Sequence, residues 1–480
     1  MTNCLLVVAC LSAAFGFSYF KRKFDAFDVV SAGVSLAPGI GSDEPRNILI
    51  IGTDYADRLA KNDPVRKDRG TGERLADVIM ILRLDPKAGT AHLISIPRDT
   101  YLPVAPFGTK QRINAAIYGP DGPQNLIRTI KDNFAISVDN YVEIDFAGFR
   151  GLVDILGGVP VYLTTPVRDR NTGLYQPEAG CVMLDPVQAL AYARSRHFQY
   201  KKNGKWVDDP TGDLGRINRQ QDFIKRALKR AIDKGARNPA TALSLITAAA
   251  SAITIDETLT VGDMRDLVTR FRDFNVDTLQ SDQVPTRAAP IGGVAYQAVD
   301  WDAAWPLLEP FWGAAAGSEL GPRDLVVTVA RSTGSLTSEE VVSKLEAQRF
   351  DADESDSARG RARGTNIAFG PNGRDAAATL ARWLDASDLT YTFDPTLPGR
   401  RVVLTPGDGL GNVRSEPMSA DAVPEPPAAS LPPTSRPGTT AAPTTEQGGS
   451  EAGAPAATTT TVPGIVPTDP DAALRCSASG

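Results

Sequence analysis

Apolar runs of strand length that alternate with helix-length amphipathic stretches constrain this chain more than any other feature. "NILIIGT" (47–53), "VIMILRL" (78–84) and "AHLISIP" (91–97) come first. "GPQNLIRTIKDNF" (122–134) then has helical spacing, "YVEIDF" (141–146) reads as strand, "FRGLVDILGG" (149–158) as helix and "VPVYL" (159–163) as strand. Strands interleaved with helices predict an α/β fold whose sheet is covered on both faces. Asp185 and Pro186 open a helix over "LDPVQALAYARSR" as N-cap and first-turn proline. "RINRQQDFIKRALKRAIDKG" is amphipathic and stops at Gly235.

The pattern divides the 480 residues into units. Residues 46–316 read as one large domain. A small α/β domain occupies 324–410, with "DLVVTVA", "GTNIAFG" and "RVVLTP" as strands separated by two helices. From 411 to 480 the chain is rich in Pro, Thr, Ala, Gly and Ser without an aromatic residue, which predicts a disordered tail. At the other end, "CLLVVACLSAAFGFSYF" (4–20) is uncharged and Lys21-Arg22-Lys23 comes next, so residues 1–20 are expected to be a transmembrane anchor and 21–45 a linker. The basic triplet alone would place the downstream residues in the cytoplasm. No basic residue precedes the apolar run, which reads as a clipped N-terminus, and the downstream composition is that of an exported protein. The expectation is therefore a single-pass cell-membrane protein with its folded part on the extracytoplasmic side. Cys4 and Cys10 fall in the anchor, and Cys181 and Cys476 either pair or stay free; sequence does not decide.

A net charge of −6 excludes a general nucleic-acid binder, because no basic excess drives counterion release. His92 and His197 are the only histidines, leaving little for a zinc site or a Ser-His-Asp triad. Against this background eleven side chains concentrate in short runs: Asp54, Asp77, Arg98, Asp99, Arg112, Arg194, Arg196, Asp213, Arg216, Arg219 and Gln220. Each run abuts an apolar element. Asp54 and Arg98-Asp99 directly follow strands, at whose carboxyl ends ligands bind in open α/β sheets, while Asp77 precedes one. The plain alternative for Arg194 and Arg196 is a helix's last turn, where the dipole favours cations. Four such runs argue instead for a pyrophosphate, whose oxygens suit planar guanidiniums and whose remaining charge suits a divalent cation on carboxylates.

In order along the chain, "NILIIGTD", "ADVIMILRLDPKAG", "SIPRDT", "RINAAIYG", "VEIDFAGFRGLVDILGGVPV", "LDPVQALAYARSRH" and "GRINRQ" resemble the LytR-CpsA-Psr family of cell-envelope proteins. The resemblance spans about residues 46–316, and 324–410 is similar to the C-terminal domain that accompanies the family in actinobacteria. It implies an α-β-α sandwich with a mixed central sheet. It also implies a membrane-anchored phosphotransferase that moves a glycopolymer phosphate from a polyprenyl-pyrophosphate carrier onto peptidoglycan. Carried over, Asp54 and Asp77 would bind Mg²⁺, with Mn²⁺ as the substitute. Arg98, Arg112, Arg194, Arg196, Arg216 and Gln220 would hold the pyrophosphate. Asp213 would orient arginines, Arg219 would help or pair with an acid, and Asp99 would assist catalysis or lock Arg98. Two positions depart from the pattern: Leu75 stands where the family has Arg, with Arg74 one residue earlier, and Pro186 follows Asp185 where the family has Gly.

Phosphoryl transfer needs positioning and charge neutralisation more than a covalent nucleophile, and no Ser or Cys stands out as one. An acceptor hydroxyl would attack in line, with Asp99 or Asp77 taking its proton. The competing readings are a metal-dependent polyprenyl-pyrophosphate phosphatase, with water as acceptor, and a non-enzymatic wall-binding or regulatory protein.

Overall fold

The computed structural model describes residues 28–31, 36–37, 44–67, 74–312, 320–355, 364–427 and Cys476. The predicted anchor and the tail beyond 427, Cys476 apart, lie outside the described residues. Among the described residues no helix is long and apolar enough to cross a membrane.

Strands are numbered along the chain. The main sheet runs in the order β1 (Asp28–Val30), β14 (Thr254–Asp256), β7 (Asn140–Ile144), β2 (Arg46–Thr53), β3 (Ala76–Asp85), β4 (Thr90–Ser95), β15 (Gln280–Gln283). β1 pairs with β14, β7 with β2 and β4 with β15 in parallel; the other neighbours are antiparallel. The sheet is mixed, as expected. The linker prediction is corrected at its centre, because Asp28–Val30 forms the sheet's edge and Leu36 is buried in the core. Three residues of moderate hydropathy are too short a run to show strand spacing.

Strand alternation separates the two faces. Leu49, Ile51, Ile79 and Ile81 join α1 (Gly122–Phe134) through Leu126, Ile127, Ile130 and Phe134, and α7 (Trp301–Leu308) through Ala304 and Leu308. Each of the large side chains gains roughly 1.5–3 kcal/mol from full burial. On the opposite face Met80 and Leu93 pack with Ile50, Leu82 and Ile224, the last from α4 (Gly212–Ala231). α2 (Phe146–Ile155) starts at Asp145, whose side chain accepts from Gly148 N. α3 (Pro186–Arg194) starts at Asp185, which accepts from Val187 N and Gln188 N, with Pro186 in the first turn. Both caps satisfy amides the helix itself cannot. Helix α4 runs on to Gly235, which takes φ 93°, and α5 (Pro239–Ala249) and α6 (Val261–Arg270) come next.

Four smaller β-units accompany the sheet. A hairpin joins β5 (Tyr101–Val104) to β6 (Thr109–Arg112), and β8 (Val159–Leu163) pairs with β11 (Gly180–Leu184). A four-stranded sheet has the order β10 (Leu174–Gln176), β9 (Val167–Asp169), β12 (Gln199–Lys202), β13 (Lys205–Asp208). β16 (Thr286–Ala288) and β17 (Gln297–Val299) form one more hairpin. Cys181, on β11, is bonded to Cys476 with Cα atoms 5.3 Å apart. The alternative that sequence left open thus resolves to a disulfide.

The C-terminal unit is a five-stranded sheet in the order β19 (Asp351–Ser355), β18 (Val326–Ala330), β23 (Arg401–Thr405), β20 (Asn366–Phe369), β22 (Thr390–Phe393). α8 (Ser338–Ala347) and α9 (Arg374–Arg382) pack on its core. The unit does not end at 410: β24 (Leu410–Val413) pairs with β21 (Leu384–Ala386), and Arg374 reaches Pro426 O. Composition alone marked 411 as tail, whereas Val413 is buried against Leu384. The unit docks on the large domain through a buried polar seam. Lys131 Nζ of α1 lies 2.7 Å from Asp351 and 2.9 Å from Asp353. Arg401 donates to Thr328 Oγ1, Lys131 O and Asp132.

Candidate active site

Asp54 directly follows β2 and Asp77 is the second residue of β3. The antiparallel register sets Thr53 opposite Ala76, so both carboxylates stand at the same end of the sheet. Position in sequence, after one strand and inside the next, had left that convergence open for Asp77. Asp54 also accepts from Leu75 N at 2.9 Å. Arg98 follows β4 and donates to Asp77. Helix α3 delivers Arg194 in its last turn and Arg196 just beyond it, and the first turns of α4 deliver Asp213, Arg216 and Gln220.

These elements enclose a cavity of about 410 Å³ lined by Asp54, Asp77, Arg98, Arg194, Arg196, Arg216 and Gln220, seven of the eleven predicted residues. Asp213 buttresses it, 3.0 Å from Arg216 and 3.4 Å from Arg196. Asp99 and Arg112 continue the charge pattern outward: Arg98 Nε lies 3.6 Å from Asp99, and Arg112 Nε 3.1 Å from its other oxygen. Arg112 also donates to Ala295 O at 2.9 Å and lies over the Tyr296 ring. It therefore sits outside the cavity lining, a correction to its direct grouping with the phosphate-holding arginines. Arg219 takes the second of its two expected roles and pairs with an acid. Its guanidinium is buried, 3.1 Å from Asp209, donating to Ser195 O and stacked on Phe198, so it fixes the loop after α3. Helical spacing cannot separate Arg219 from Arg216, because both are at the helix start and differ by three residues.

Asn171, Thr172, Asp145 and His197, which sequence reading missed, line the cavity wall together with Phe146 and Phe149. Phe146 carries Arg194 on its face, with the guanidinium carbon 4.7 Å from the ring centre. Asn171 and Thr172 lie in a turn whose sequence, "RDRNTG", carries no signal beyond a turn. Arg74, next to the Leu75 departure, turns away to pair with Glu143 and Tyr141.

The electrostatics are those of a site built for an anion. Burial works to raise the Asp77 carboxyl, but Arg98, Arg216 and Arg196 outweigh it and hold it below the ordinary value. Arg98 is raised: burial opposes its charge, and Asp77, Asp99 and Asp213 more than offset that. Arg216 is depressed to about 10, first by burial and then by Arg196 and Arg98, against the pull of Asp213 and Asp77. A buried cation kept beside two others is relieved by a polyanion. Among the described residues no group of three or more His, Cys, Asp or Glu side chains is arranged to hold a metal. Two carboxylates at one mouth nevertheless match Mg²⁺, which commonly takes one or two protein carboxylates and completes its shell with phosphate oxygens and water.

A second cavity of about 350 Å³ lies behind the first, and Ile50 and Ile224 line both. Its walls are aliphatic and aromatic side chains of β3, β4, α4, α5 and α6, among them Leu82, Leu93, Leu228, Ile246 and Phe271.

A mixed sheet thus presents arginines and two carboxylates to one cavity, with an apolar chamber behind it. The chain belongs to the LytR_cpsA_psr family, whose profile matches residues 20–307. It is 32% identical over 214 residues to a probable cell wall biosynthesis protein LcpB of Corynebacterium glutamicum, covering 44% of this chain and 48% of that one. It is 34% identical over 193 residues to the polyisoprenyl-teichoic acid–peptidoglycan teichoic acid transferase TagU of Halalkalibacterium halodurans, covering 40% and 55%. The chain thus spans about half the length of these curated relatives. A solved LytR-Csp2A-Psr enzyme from Actinomyces oris aligns over 60% of this chain and 96% of its own at 24% identity, with a TM-score of 0.45.

Proposed function

We propose that this protein transfers a glycopolymer phosphate from a polyprenyl-pyrophosphate carrier to peptidoglycan on the extracytoplasmic face of the cell membrane. The observation that carries this reading is the apolar chamber that abuts the arginine-lined cavity across Ile50 and Ile224. A pyrophosphate fits the first and an isoprenoid tail the second. The relatives named as teichoic acid transferases and cell wall biosynthesis proteins support it, and the Cys181–Cys476 bond supports an oxidising compartment.

In the proposed reaction an acceptor sugar hydroxyl attacks the phosphorus that carries the glycopolymer. A P–O bond forms to the acceptor, the bond to the bridging oxygen breaks, and polyprenyl phosphate leaves. Arg98, Arg194, Arg196 and Arg216 hold the two phosphates and stabilise charge on the leaving one. Gln220, which donates to Ala193 O, ties α4 to the end of α3 and keeps these arginines in one frame. Asp54 and Asp77 are the residues that would hold Mg²⁺, which when bound supplies additional charge neutralisation. Asp99 at the rim and Asp77 in the cavity are the two carboxylates placed to accept the hydroxyl proton.

The test is a transfer assay with a polyprenyl-pyrophosphate-linked glycan and peptidoglycan fragments, with and without Mg²⁺. Covalent glycan-phosphate on the fragments, lost in Arg98→Ala, is expected. Release of free glycan phosphate at the same rate with and without acceptor would replace the reading with a phosphatase. Donor binding with no turnover of any kind would replace it with a wall-binding role.

A further inference from the structure

Among the described residues the sheet β10-β9-β12-β13 packs one side on a hydrophobic core. Val167, Leu174 and Tyr200 face the core. Strand alternation and register set Tyr175, Arg168, Gln199 and Asp208 in one row on the other side, with Lys201 paired to Trp206 in the next. Solvated faces of this kind normally carry loosely held side chains. Here they are locked. The Arg168 guanidinium lies 4.3 Å from the centre of the Trp206 ring and its Nε donates to Gln199 at 2.8 Å. Gln199 in turn donates to Asp208 at 2.8 Å. Tyr175, 58% exposed, is pinned through its backbone amide by Gln188 of α3 at 2.9 Å.

This face is continuous with the cavity. The turn between β9 and β10 contributes Asn171 and Thr172 to the cavity wall. Thr172 Oγ1 is buried there without a hydrogen-bond partner. Asp169, which closes β9, accepts from Ser195 Oγ and from the amides of Arg196 and His197, so the sheet and the arginine loop form one rigid piece. The charge is also distinct. Across this face Arg168 and Lys201 stand against the single acid Asp208, in a chain of net charge −6.

Resting on the function proposed above, we infer that this face docks the acceptor: a glycan strand of N-acetylated amino sugars that bears acidic peptide arms. Exposed aromatic rings beside fixed amide and guanidinium donors suit the apolar faces and acetamido groups of such sugars. Lys201 suits a peptide carboxylate. A strand lying along β9 and β12 leads toward the β9–β10 turn, and Thr172 stands where its attacking hydroxyl enters the cavity.

Two measurements on the full chain test this. One is co-sedimentation with purified peptidoglycan, and the other is transfer kinetics with acceptor varied at saturating donor. Tyr175→Ala/Lys201→Ala is expected to weaken co-sedimentation and raise the acceptor KM by about tenfold, with donor KM unchanged. Tyr175→Phe/Lys201→Arg, which keeps ring and charge, is expected to behave as the parent. Parental co-sedimentation in the Ala variant, or equal loss in both variants, overturns the inference. So does loss of binding to anionic phospholipid vesicles with peptidoglycan binding intact, which would assign the face to the membrane. If the parent protein transfers nothing, the proposed function fails, while co-sedimentation still decides this face.

Discussion

Replacing Arg216 with methionine separates what the cavity does for folding from what it does for the ligand. Arg216 is 3% exposed and ringed by Arg98, Arg196, Asp77 and Asp213. Its depression from the ordinary arginine value to about 10 corresponds to roughly 3 kcal/mol of unfavourable charging in the folded chain. Below about pH 10 the group is protonated whether the chain is folded or not, so this cost is fully present at neutrality. It is relieved only as pH rises through about 10, where the folded chain alone gives up the proton. Methionine retains most of the buried volume without the charge, and Asp213 keeps Arg196 as a partner. Arg216→Met should therefore melt no lower than the parent at pH 7, and higher by about 2–4 °C for each kcal/mol recovered. Donor turnover should fall by roughly 10²–10³, the loss typical of one preorganised charge donor. In the parent, donor affinity should decline above about pH 10, and the variant should lack that limb. Thermal melts of the ligand-free protein and a donor-binding titration across pH 7–11 check both halves. A melting point several degrees below the parent, with donor turnover intact, would refute the argument, since Arg216 would then be a structural cation.

The geometry sets three further outcomes. Ile224→Trp adds bulk at the wall the two cavities share, so turnover of long-tailed donors should drop at least about tenfold while donors with one or two isoprene units are spared; kinetics across a chain-length series shows it. Lys131→Ala leaves Asp351 and Asp353 buried without their cation, and breaking such a pair costs roughly 3–5 kcal/mol; the loss should appear as a lower melting point and faster proteolysis of the C-terminal unit. At Gly148 an added Cβ would lie 1.8 Å from Ala252 O, so Gly148→Ala should destabilise by about 1–3 kcal/mol, the usual cost of overpacking. A denaturant titration reads that value.

The core of the fold was legible wherever burial imposes a period. Leu49 and Ile51 alternate with Ile50 because each faces a different helical layer, and Asp185 with Pro186 and Gly235 marked helix ends through local chemistry alone. β19 was illegible because "DADES" gains its place from pairing with β18 and from Lys131, an ion pair between residues 220 apart. The candidate site shows the same division. Residues at element ends, such as Arg98 and Arg216, were visible from where they stand. Asn171 and Thr172 were not, because a turn enters the wall only through tertiary packing. Arg219 carries the same charge as Arg216 three residues earlier, and only Asp209 and Phe198 reveal that its guanidinium is already engaged.

The bond between Cys181 and Cys476, 295 positions apart, turns more than half of the chain into a covalent ring. Within that ring lie α3, α4, the C-terminal unit and the residues beyond 427. A single cut anywhere in it opens the ring without freeing a piece. The far end of the protein then stays fastened to β11, one residue from the Asp185 cap of α3 and so beside the helix that presents Arg194. A nicked molecule would run as one species until a thiol is added and as two afterwards. Cleavage within the C-terminal segment would leave that segment joined to the arginine cavity.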